Sequence, residues 1–235
     1  MPDLIDALGE TMATGRQRGL EPIVRAAMAH LNLVMIHPYR DGNGRMARAL
    51  QTLVMAQDAV LEPTFSSIEE WLGRNTEDYY LGLAATGAGS WNPDRDAHLW
   101  VKFNIRAHHM QAQTLTRRFA DAERLSGQID QVIARLGLPD RAFDPLFDAT
   151  LGLRVRRPTY VKRTGVEERT ATRDLRALVD VGLLSAKGNT RGRFYLASGD
   201  LMALRDEARA RRARLEDPYP WLIDRLRAEA RSGEI

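Results

Sequence analysis

Twelve consecutive residues, His37–Arg48 with the sequence HPYRDGNGRMAR, combine side chains that are suited to chemistry on a nucleotide. His37 is the group among them that can take up a proton near neutral pH. Asp41 offers a carboxylate to Mg²⁺, which in turn bridges to phosphates. Arg45 and Arg48 stand three residues apart, so they share one face if the segment is helical. These residue types predict a phosphate-binding site with a proton acceptor beside it.

Two helices must position this motif. Over residues 21–36 the apolar side chains recur at steps of three and four, and Pro22 suits a first helical turn. This segment is apolar over much of its circumference, so we expect it to be buried on several sides, with His30 as a packed, hydrogen-bonded histidine. Pro38 ends the helix. A second helix is predicted from about residue 44 to about residue 57.

The loop between these helices can bind an anion through its backbone. Gly42 and Gly44 allow conformations that other residues resist, and their N–H groups can converge with those at the start of the next helix. Asn43 can donate a hydrogen bond to a phosphate oxygen. Asp-Gly and Asn-Gly on their own are typical of ordinary turns. Their combination with a histidine, an aspartate and two arginines at one helix junction favours a functional site.

The motif resembles the signature of the Fic domain family, H-P-F-x-D-G-N-G-R-x-x-R. Every polar position matches, and Tyr39 stands where the family usually has phenylalanine. The helix before the motif and the segment TEDYYLGL after it are also similar to Fic domains, so the resemblance covers roughly residues 1–115. It implies an all-helical domain that transfers AMP from ATP to a Ser, Thr or Tyr hydroxyl of a target protein or of itself, with release of pyrophosphate.

The resemblance also implies a role for each polar residue of the motif. His37 would be the general base, and Asp41 would hold Mg²⁺ on the α- and β-phosphates of ATP. Arg48 would bind the γ-phosphate. The other residues predicted to bind the nucleotide are Gly42, Asn43, Gly44, Arg45, Tyr79 and Tyr80. For the two tyrosines, packing in the core is left open as an alternative.

One glycine bears on the reaction type. A related Doc-type branch has lysine in place of the second glycine of the motif, binds ATP in the reverse direction and transfers phosphate. Gly44 occupies that position here, which favours AMP transfer. The sequence contains neither a Walker-type GxxxxGK[ST] nor an HExxH motif, so those nucleotide and metal classes are excluded.

A basic block near the C-terminus predicts a second module. Between Leu151 and Ala197, 11 Arg and Lys stand against 4 Asp and Glu, a net charge of +7 in a chain of net charge +3. Such a block is typical of a surface that faces a polyanion. Residues 159–196 resemble a winged helix-turn-helix, whose second helix would enter the major groove of DNA and whose hairpin would contact phosphates. The residues predicted to bind nucleic acid are Thr172, Arg173, Arg176, Lys187, Arg191 and Arg193.

Two functions follow from these modules. The first is a Fic-type adenylyltransferase that acts on a target protein, with the winged helix docking proteins or DNA. The second is a DNA-binding transcriptional regulator whose Fic domain senses nucleotide or modifies itself. A homodimer is left open as a further partner.

Length and composition bound the remaining properties. The chain of 235 residues has room for one large or two small domains, and 44% hydrophobic with 28% charged residues is typical of a soluble globular protein. The absence of cysteine excludes a disulfide scaffold and a cysteine nucleophile, and it fits the cytoplasm. The N-terminus does not resemble a signal peptide, and no apolar run is long enough to span a membrane.

The predicted architecture is mainly α. It consists of an all-helical Fic domain with a linker helix over residues 1–139, a small winged-helix α+β domain over 140–198, and a C-terminal helical tail over 199–235. Further helices are predicted over residues 3–15, 67–73, 76–84 and from 94 to beyond 115. Ser66 or Ser67 is expected to cap the second of these.

Overall fold

Helices make up most of the chain, as the sequence predicts. The computed structural model describes residues 2–57, 67–189 and 192–232. The helices are α1 (Pro2–Gln17), α2 (Pro22–Ile36), α3 (Asn43–Gln57), α4 (Glu69–Arg74), α5 (Thr76–Gly87), α6 (His98–Leu136), α7 (Phe143–Thr150), α8 (Arg157–Thr164), α9 (Glu168–Asp180), α10 (Gly199–Ala210) and α11 (Leu222–Ser232). The strands are β1 (Leu184–Lys187) and β2 (Phe194–Ala197).

The chain divides into two units, Met1–Thr114 with Leu215–Ile235, and Leu115–Arg214. The first part of α6 belongs to the first unit and the remainder to the second. No helix among the described residues is both long and apolar enough to cross a membrane.

Helix α2 is buried on several sides, as predicted. Its side chains contribute to three separate hydrophobic clusters of the first unit. Ala26, Ala27 and Ala29 are at most 1% exposed, and these small side chains let neighbouring helices approach closely. Pro22 lies in the first turn of α2, where its missing N–H is not needed. The helix that leads into the motif therefore has little freedom to move.

The predicted helix limits of the first unit agree with the structure to within a few residues, with two differences. Helix α4 begins at Glu69, and Ile68 rather than Ser67 occupies the N-cap position, although the Ser67 hydroxyl accepts the Glu69 N–H at 3.3 Å from one residue farther out. Ser66, the other predicted cap, lies outside the described residues. Helix α6 begins at His98, where the Asp96 carboxylate accepts the His98 N–H at 2.9 Å.

The C-terminal helix α11 packs into the core of the first unit. Leu222 and Leu226 are fully buried in the same cluster as Trp100. Arg106 of α6 adds an ion pair to the segment before α11, with Nη2 at 2.9 Å from Asp217 Oδ2. The last part of the predicted tail, from Leu215 onward, thus belongs to the first unit, whereas α10 belongs to the second.

The second unit places three helices and a hairpin in sequence. After the last part of α6 and a 3₁₀ turn (Asp140–Ala142) come α7, α8, α9, and the antiparallel hairpin β1–β2, in which Leu184 pairs with Ala197. Val155, between α7 and α8, forms an antiparallel bridge with Tyr195 of β2. Helix α10 follows. This order agrees with the predicted helix, turn, helix and hairpin.

A polar network lies within the core of the second unit. Asp174 of α9 is buried and accepts two hydrogen bonds from Arg141, at 2.7 and 3.2 Å, and one from the Tyr160 hydroxyl at 3.1 Å. The hydrogen bonds from Arg141 hold the pKa of Asp174 below its usual range. The network joins the 3₁₀ turn, α8 and α9, so it fixes the helix predicted to face DNA.

The two units do not divide the chain at the limits predicted for the domains. Ile129 and Ile133 of α6 lie in the core of the second unit, together with Leu201 of α10. Leu222 lies in the core of the first unit. Apolar side chains on α6, α10 and α11 thus decide which core each helix joins, and a change in composition along the chain does not reveal this. The predicted ends of the Fic domain at residue 139 and of the winged-helix domain at residue 198 stay predictions.

Candidate active site

The motif occupies the junction between α2 and α3. His37 ends α2 with a left-handed backbone conformation, φ 52° and ψ 55°. Its N–H still donates to the Leu33 carbonyl at 3.1 Å. Pro38 accounts for the sharp end, because proline disfavours the right-handed helical conformation in the residue before it. The histidine therefore stands where the loop begins.

The imidazole of His37 is exposed and contacts the helix through one nitrogen. Nδ1 lies 3.3 Å from the Val34 carbonyl oxygen. A carbonyl oxygen only accepts hydrogen bonds, so in this contact Nδ1 carries the proton. In the neutral ring Nε2 is then the nitrogen that can accept a proton from a hydroxyl group.

The loop is closed by the side chain of Asn43. Its Oδ1 accepts the Tyr39 N–H at 2.9 Å, and its Nδ2 donates to the Tyr39 carbonyl at 2.6 Å. Asn43 is buried, and one of its two amide N–H groups is used here. Gly42 has φ 88°, a conformation that favours glycine. The two hydrogen bonds of Asn43 and the turn at Gly42 thus keep the loop between His37 and the start of α3 tightly closed.

Asp41 and Arg45 are exposed at this start of α3. Their side chains are 92% and 75% exposed, and Arg45 Nη2 lies 3.5 Å from Asp41 Oδ2. The other oxygen of Asp41 accepts the Gly42 N–H at 2.6 Å. An exposed ion pair contributes little stability, so a charged ligand can separate it at low cost.

The residues present fit an Mg²⁺ ion that is bound chiefly through phosphates. Within the described ranges, no group of three or more His, Cys, Asp or Glu side chains could hold a metal by itself. Mg²⁺ at nucleotide sites commonly uses one or two carboxylates together with phosphate oxygens. The exposed carboxylate of Asp41 is a donor of this kind, next to a helix N-terminus.

Arg48 is held more firmly than Arg45. Its side chain is 24% exposed, and Nε lies 2.6 Å from Glu69 Oε1. Burial by itself would lower the pKa of Arg48, but the hydrogen bond and charge of Glu69 outweigh it and raise the pKa. A Cβ on Gly44 would lie 3.4 Å from Arg48 Nη1. The guanidinium group therefore lies against the first turn of α3.

The two predicted tyrosines differ in their surroundings. Tyr80 is 63% exposed, whereas Tyr79 is 5% exposed and packs against Trp100. Burial raises the pKa of Tyr79, and the charge of Arg48 with a hydrogen bond to it counteracts this rise. The open ring of Tyr80 is available to a ligand, and the hydroxyl of Tyr79 belongs to the surroundings of Arg48.

A buried polar network lies behind Tyr79. His30 is fully buried, with Nε2 at 3.1 Å from the Tyr79 hydroxyl and Nδ1 at 2.5 Å from Gln51 Oε1. Gln51 Nε2 in turn lies 3.0 Å from Asn104 Oδ1 and 3.1 Å from His108 Nε2. The prediction that His30 is a packed, hydrogen-bonded histidine is confirmed.

The stability of the first unit should fall as the pH drops from about 6.5 to about 4. Burial lowers the pKa of His30 to about 4, and the unfolded value is about 6.5. Between these values the unfolded chain binds a proton that the folded chain does not, so acid favours unfolding by about 3 kcal/mol at the lower limit. His108, whose pKa burial also lowers to about 4, adds to the effect.

Tryptophan fluorescence can follow this unit alone, because all four tryptophans lie in it. We expect the urea midpoint to fall between pH 7.5 and pH 5, and the fall to be smaller in His30→Gln. A midpoint that stays constant over this range would contradict the account, since carboxylates titrate mainly at lower pH.

Of the residues predicted to bind nucleic acid, those that the structure describes lie on α9 and the hairpin. Arg173 and Arg176 are exposed, with side chains that are 75% and 82% accessible. Thr172 is exposed and donates to the Glu168 carbonyl. The hairpin residues Lys187 and Arg193 are also exposed, and Arg191 lies outside the described residues.

The sequence did not predict two residues that support Arg48 and Tyr79 although they are distant in the chain. Glu69 pairs with Arg48 directly, and Gln51 is linked to Tyr79 through His30. Glu69 comes from α4, and Gln51 is a polar side chain on the buried face of α3. The available signal was Gln51 itself, because a glutamine in an apolar helical stripe needs a hydrogen-bond partner. Glu69 gave no signal, since glutamate in the first turn of a helix is common.

Comparison with known proteins identifies a family match in the N-terminal part of the chain and similarity to three adenylyltransferases. Residues 1–55 match the model of the Fic/DOC family. The chain is 36% identical over 95 residues to "Protein adenylyltransferase fic-1" of Caenorhabditis briggsae and 33% identical over 93 residues to the protein of that name from Caenorhabditis elegans. It is 36% identical over 74 residues to "Protein adenylyltransferase Fic" of Nematostella vectensis.

The similarity covers only part of each protein. The two Caenorhabditis matches include 40% of this chain and the Nematostella match 32%, and each spans 16% of the relative's length. The family match includes all of the motif from His37 to Arg48. It ends before Glu69 and both tyrosines.

Proposed function

We propose that the chain is a Fic-type protein adenylyltransferase, which transfers AMP from ATP to a Ser, Thr or Tyr hydroxyl of a target protein or of itself. The junction between α2 and α3 carries this proposal. It brings an exposed histidine, whose Nδ1 faces a carbonyl oxygen and whose Nε2 does not, to a helix N-terminus that bears two arginines. The adenylyltransferases to which the chain is similar add support.

In the proposed reaction the chain moves one proton and stabilises charge. Nε2 of His37 takes the proton from the target hydroxyl, whose oxygen attacks the α-phosphorus of ATP. The bond between the α-phosphorus and the oxygen that bridges to the β-phosphorus breaks, and pyrophosphate leaves. Because the phosphate supplies the covalent chemistry, positioning and charge neutralisation account for most of the acceleration.

The phosphates would lie at the start of α3. The first N–H groups of a helix have no carbonyl partner within it and favour an anion, and Gly42, Asn43 and Gly44 lie there. Arg45 and Arg48 would pair with phosphate oxygens. Asp41 would hold Mg²⁺, which supplies positive charge to the α- and β-phosphates when bound. Tyr80 would stack on the base.

The proposal is tested with wild-type protein, Mg²⁺ and ATP labelled at either the α- or the γ-phosphate, in the presence of candidate target proteins. Label from α-labelled ATP should appear on protein, and label from γ-labelled ATP should not. The reverse pattern would mean phosphate transfer and would contradict the interpretation of Gly44.

We further propose that the second unit contains a winged helix that binds DNA. The order of α7, the Val155 bridge, α8, α9 and the hairpin supports it, together with the exposed Arg173 and Arg176. This candidate would make the chain a regulator if the first unit only senses nucleotide or modifies itself. A cytoplasmic location and a homodimer stay predictions.

DNA binding should be salt-dependent and should weaken when Arg173 and Arg176 are both replaced by alanine. Each lost phosphate contact should reduce the slope of log affinity against log salt by about 0.9. Arg225→Ala on α11, an exposed arginine of the other unit, is the control. Equal binding by both variants would leave protein docking as the role of this unit.

A further inference from the structure

The hydroxyl of Tyr79 lies between the phosphate-site arginine and a buried histidine. It lies 3.1 Å from His30 Nε2, and it is close enough to Arg48 for the charge of that arginine to oppose the rise in the pKa of Tyr79 that burial causes. A Cβ on Gly44 would lie 3.9 Å from this hydroxyl and 3.4 Å from Arg48 Nη1. The buried Tyr79 hydroxyl therefore lies on the protein side of Arg48, where solvent does not reach it.

The direction of these hydrogen bonds follows from donor and acceptor chemistry. A guanidinium group only donates, so toward Arg48 the Tyr79 oxygen can only act as an acceptor, which leaves its O–H proton for His30 Nε2 at 3.1 Å. Nε2 of His30 must then be the unprotonated nitrogen. Nδ1 carries the proton and donates to the partner it meets, the carbonyl oxygen of Gln51 at 2.5 Å.

The rest of the buried network agrees with this direction. With its Oε1 accepting from His30, Gln51 has two N–H groups left on Nε2. These lie 3.0 Å from Asn104 Oδ1 and 3.1 Å from His108 Nε2, which are both able to accept. If both histidines are neutral, each hydrogen-bond donor in the network faces an acceptor. This holds from Asn104 and His108 on α6, through Gln51 and His30, to the Tyr79 hydroxyl.

Glu69 holds the same arginine at a second point. It pairs with Nε of Arg48, on the inner edge of the guanidinium group. Nη1 lies by Gly44, at the first turn of α3 where phosphates would bind. The glutamate therefore anchors the group without occupying that nitrogen. A long arginine side chain that is fixed at two points loses less freedom when it binds a ligand.

We propose that Tyr79 is a positioning residue, which acts on ATP through Arg48 by holding the guanidinium group in its binding conformation. This inference rests on the proposed function, in which Arg48 binds the γ-phosphate. It differs from a direct contact between Tyr79 and the nucleotide, because the loss of the hydroxyl should then affect only ligands that reach Arg48.

Tyr79→Phe tests the proposal, since it removes the hydroxyl and keeps the ring that packs against Trp100. Calorimetric titration in Mg²⁺ should show ATP affinity weakened about tenfold, the effect of one hydrogen bond to a charged group. AMP, which has no β- or γ-phosphate, should bind as it does to the wild type. Tyr219→Phe makes the same chemical change elsewhere in the first unit and should alter neither affinity.

A double-mutant cycle separates positioning from a general structural effect. In an Arg48→Ala background, Tyr79→Phe should have no further effect on ATP affinity. Equal weakening of ATP and AMP, or a full additional loss in that background, would overturn the proposal. If the wild type binds ATP and Tyr79→Phe binds it equally well, the proposal fails and the proposed function stands. If the wild type binds no ATP, the proposed function itself fails.

Discussion

Replacing His37 by alanine should lower the rate of AMP transfer by about 10²- to 10⁴-fold, the usual contribution of a general base. ATP affinity should stay close to that of the wild type. The imidazole is exposed, and among the described residues its hydrogen-bond contact is with the Val34 carbonyl, so its removal should leave the end of α2 and the start of α3 in place. Initial rates with α-labelled ATP and calorimetric titration of ATP measure the two quantities.

The matched control is His109→Ala. His109 is an exposed histidine of the first unit that the account gives no role, and its replacement should leave both the rate and the affinity unchanged. If His37→Ala transferred AMP as fast as this control, another group would have to accept the hydroxyl proton.

Replacing Arg48 by alanine should weaken ATP binding by about 10- to 100-fold, the effect of losing hydrogen bonds between charged groups. AMP binding should change little, because Arg48 is proposed to contact the γ-phosphate. Arg48→Lys should restore only part of the affinity. The ammonium group of lysine keeps the charge, but it is a single point of contact. The guanidinium group can pair with Glu69 through Nε and at the same time place Nη1 beside Gly44.

Titration of both nucleotides against each variant checks this prediction. Arg227→Ala on α11, which removes an exposed arginine paired with Asp224, is the control and should bind ATP as the wild type does. An Arg48→Ala variant that lost ATP and AMP to the same extent would show that Arg48 supports the whole site instead of one phosphate.

The junction between α2 and α3 could be predicted from sequence because its determinants are local. Pro22 and Pro38 set the limits of α2, and Gly42 takes the one positive φ angle of the loop that favours glycine. All polar groups of the motif lie within a single stretch from His37 to Arg48. Backbone preferences and spacing within such a stretch are enough to place its side chains.

The support behind the motif could not be predicted in the same way. His30 meets Gln51 across 21 residues and Tyr79 across 49 residues of the chain. Sequence periodicity places each of these side chains on the inner face of its own helix, but the rotation of one helix against another decides which polar groups meet. Glu69 and Arg48 likewise become partners only because α3 and α4 bring them together in the folded chain.

The division of the chain shows a similar limit. Helix α6 runs from His98 to Leu136, and its apolar side chains enter two different cores. The helical pattern of its sequence runs on without a break, so nothing in the sequence marks Thr114 as the end of the first unit. Only the partners of Phe103 and Ile129 in the folded chain assign the two parts of the helix to different units.

The central claim is tested most directly by mass spectrometry of a protein that has been incubated with this chain, ATP and Mg²⁺. We predict AMP joined through a phosphodiester to a serine, threonine or tyrosine hydroxyl, with one pyrophosphate released for each AMP, and adduct formation slowed about a hundredfold or more when His37→Ala replaces the wild type. A phosphate group alone on the modified residue, or an unmodified protein although the wild type binds ATP, would contradict it.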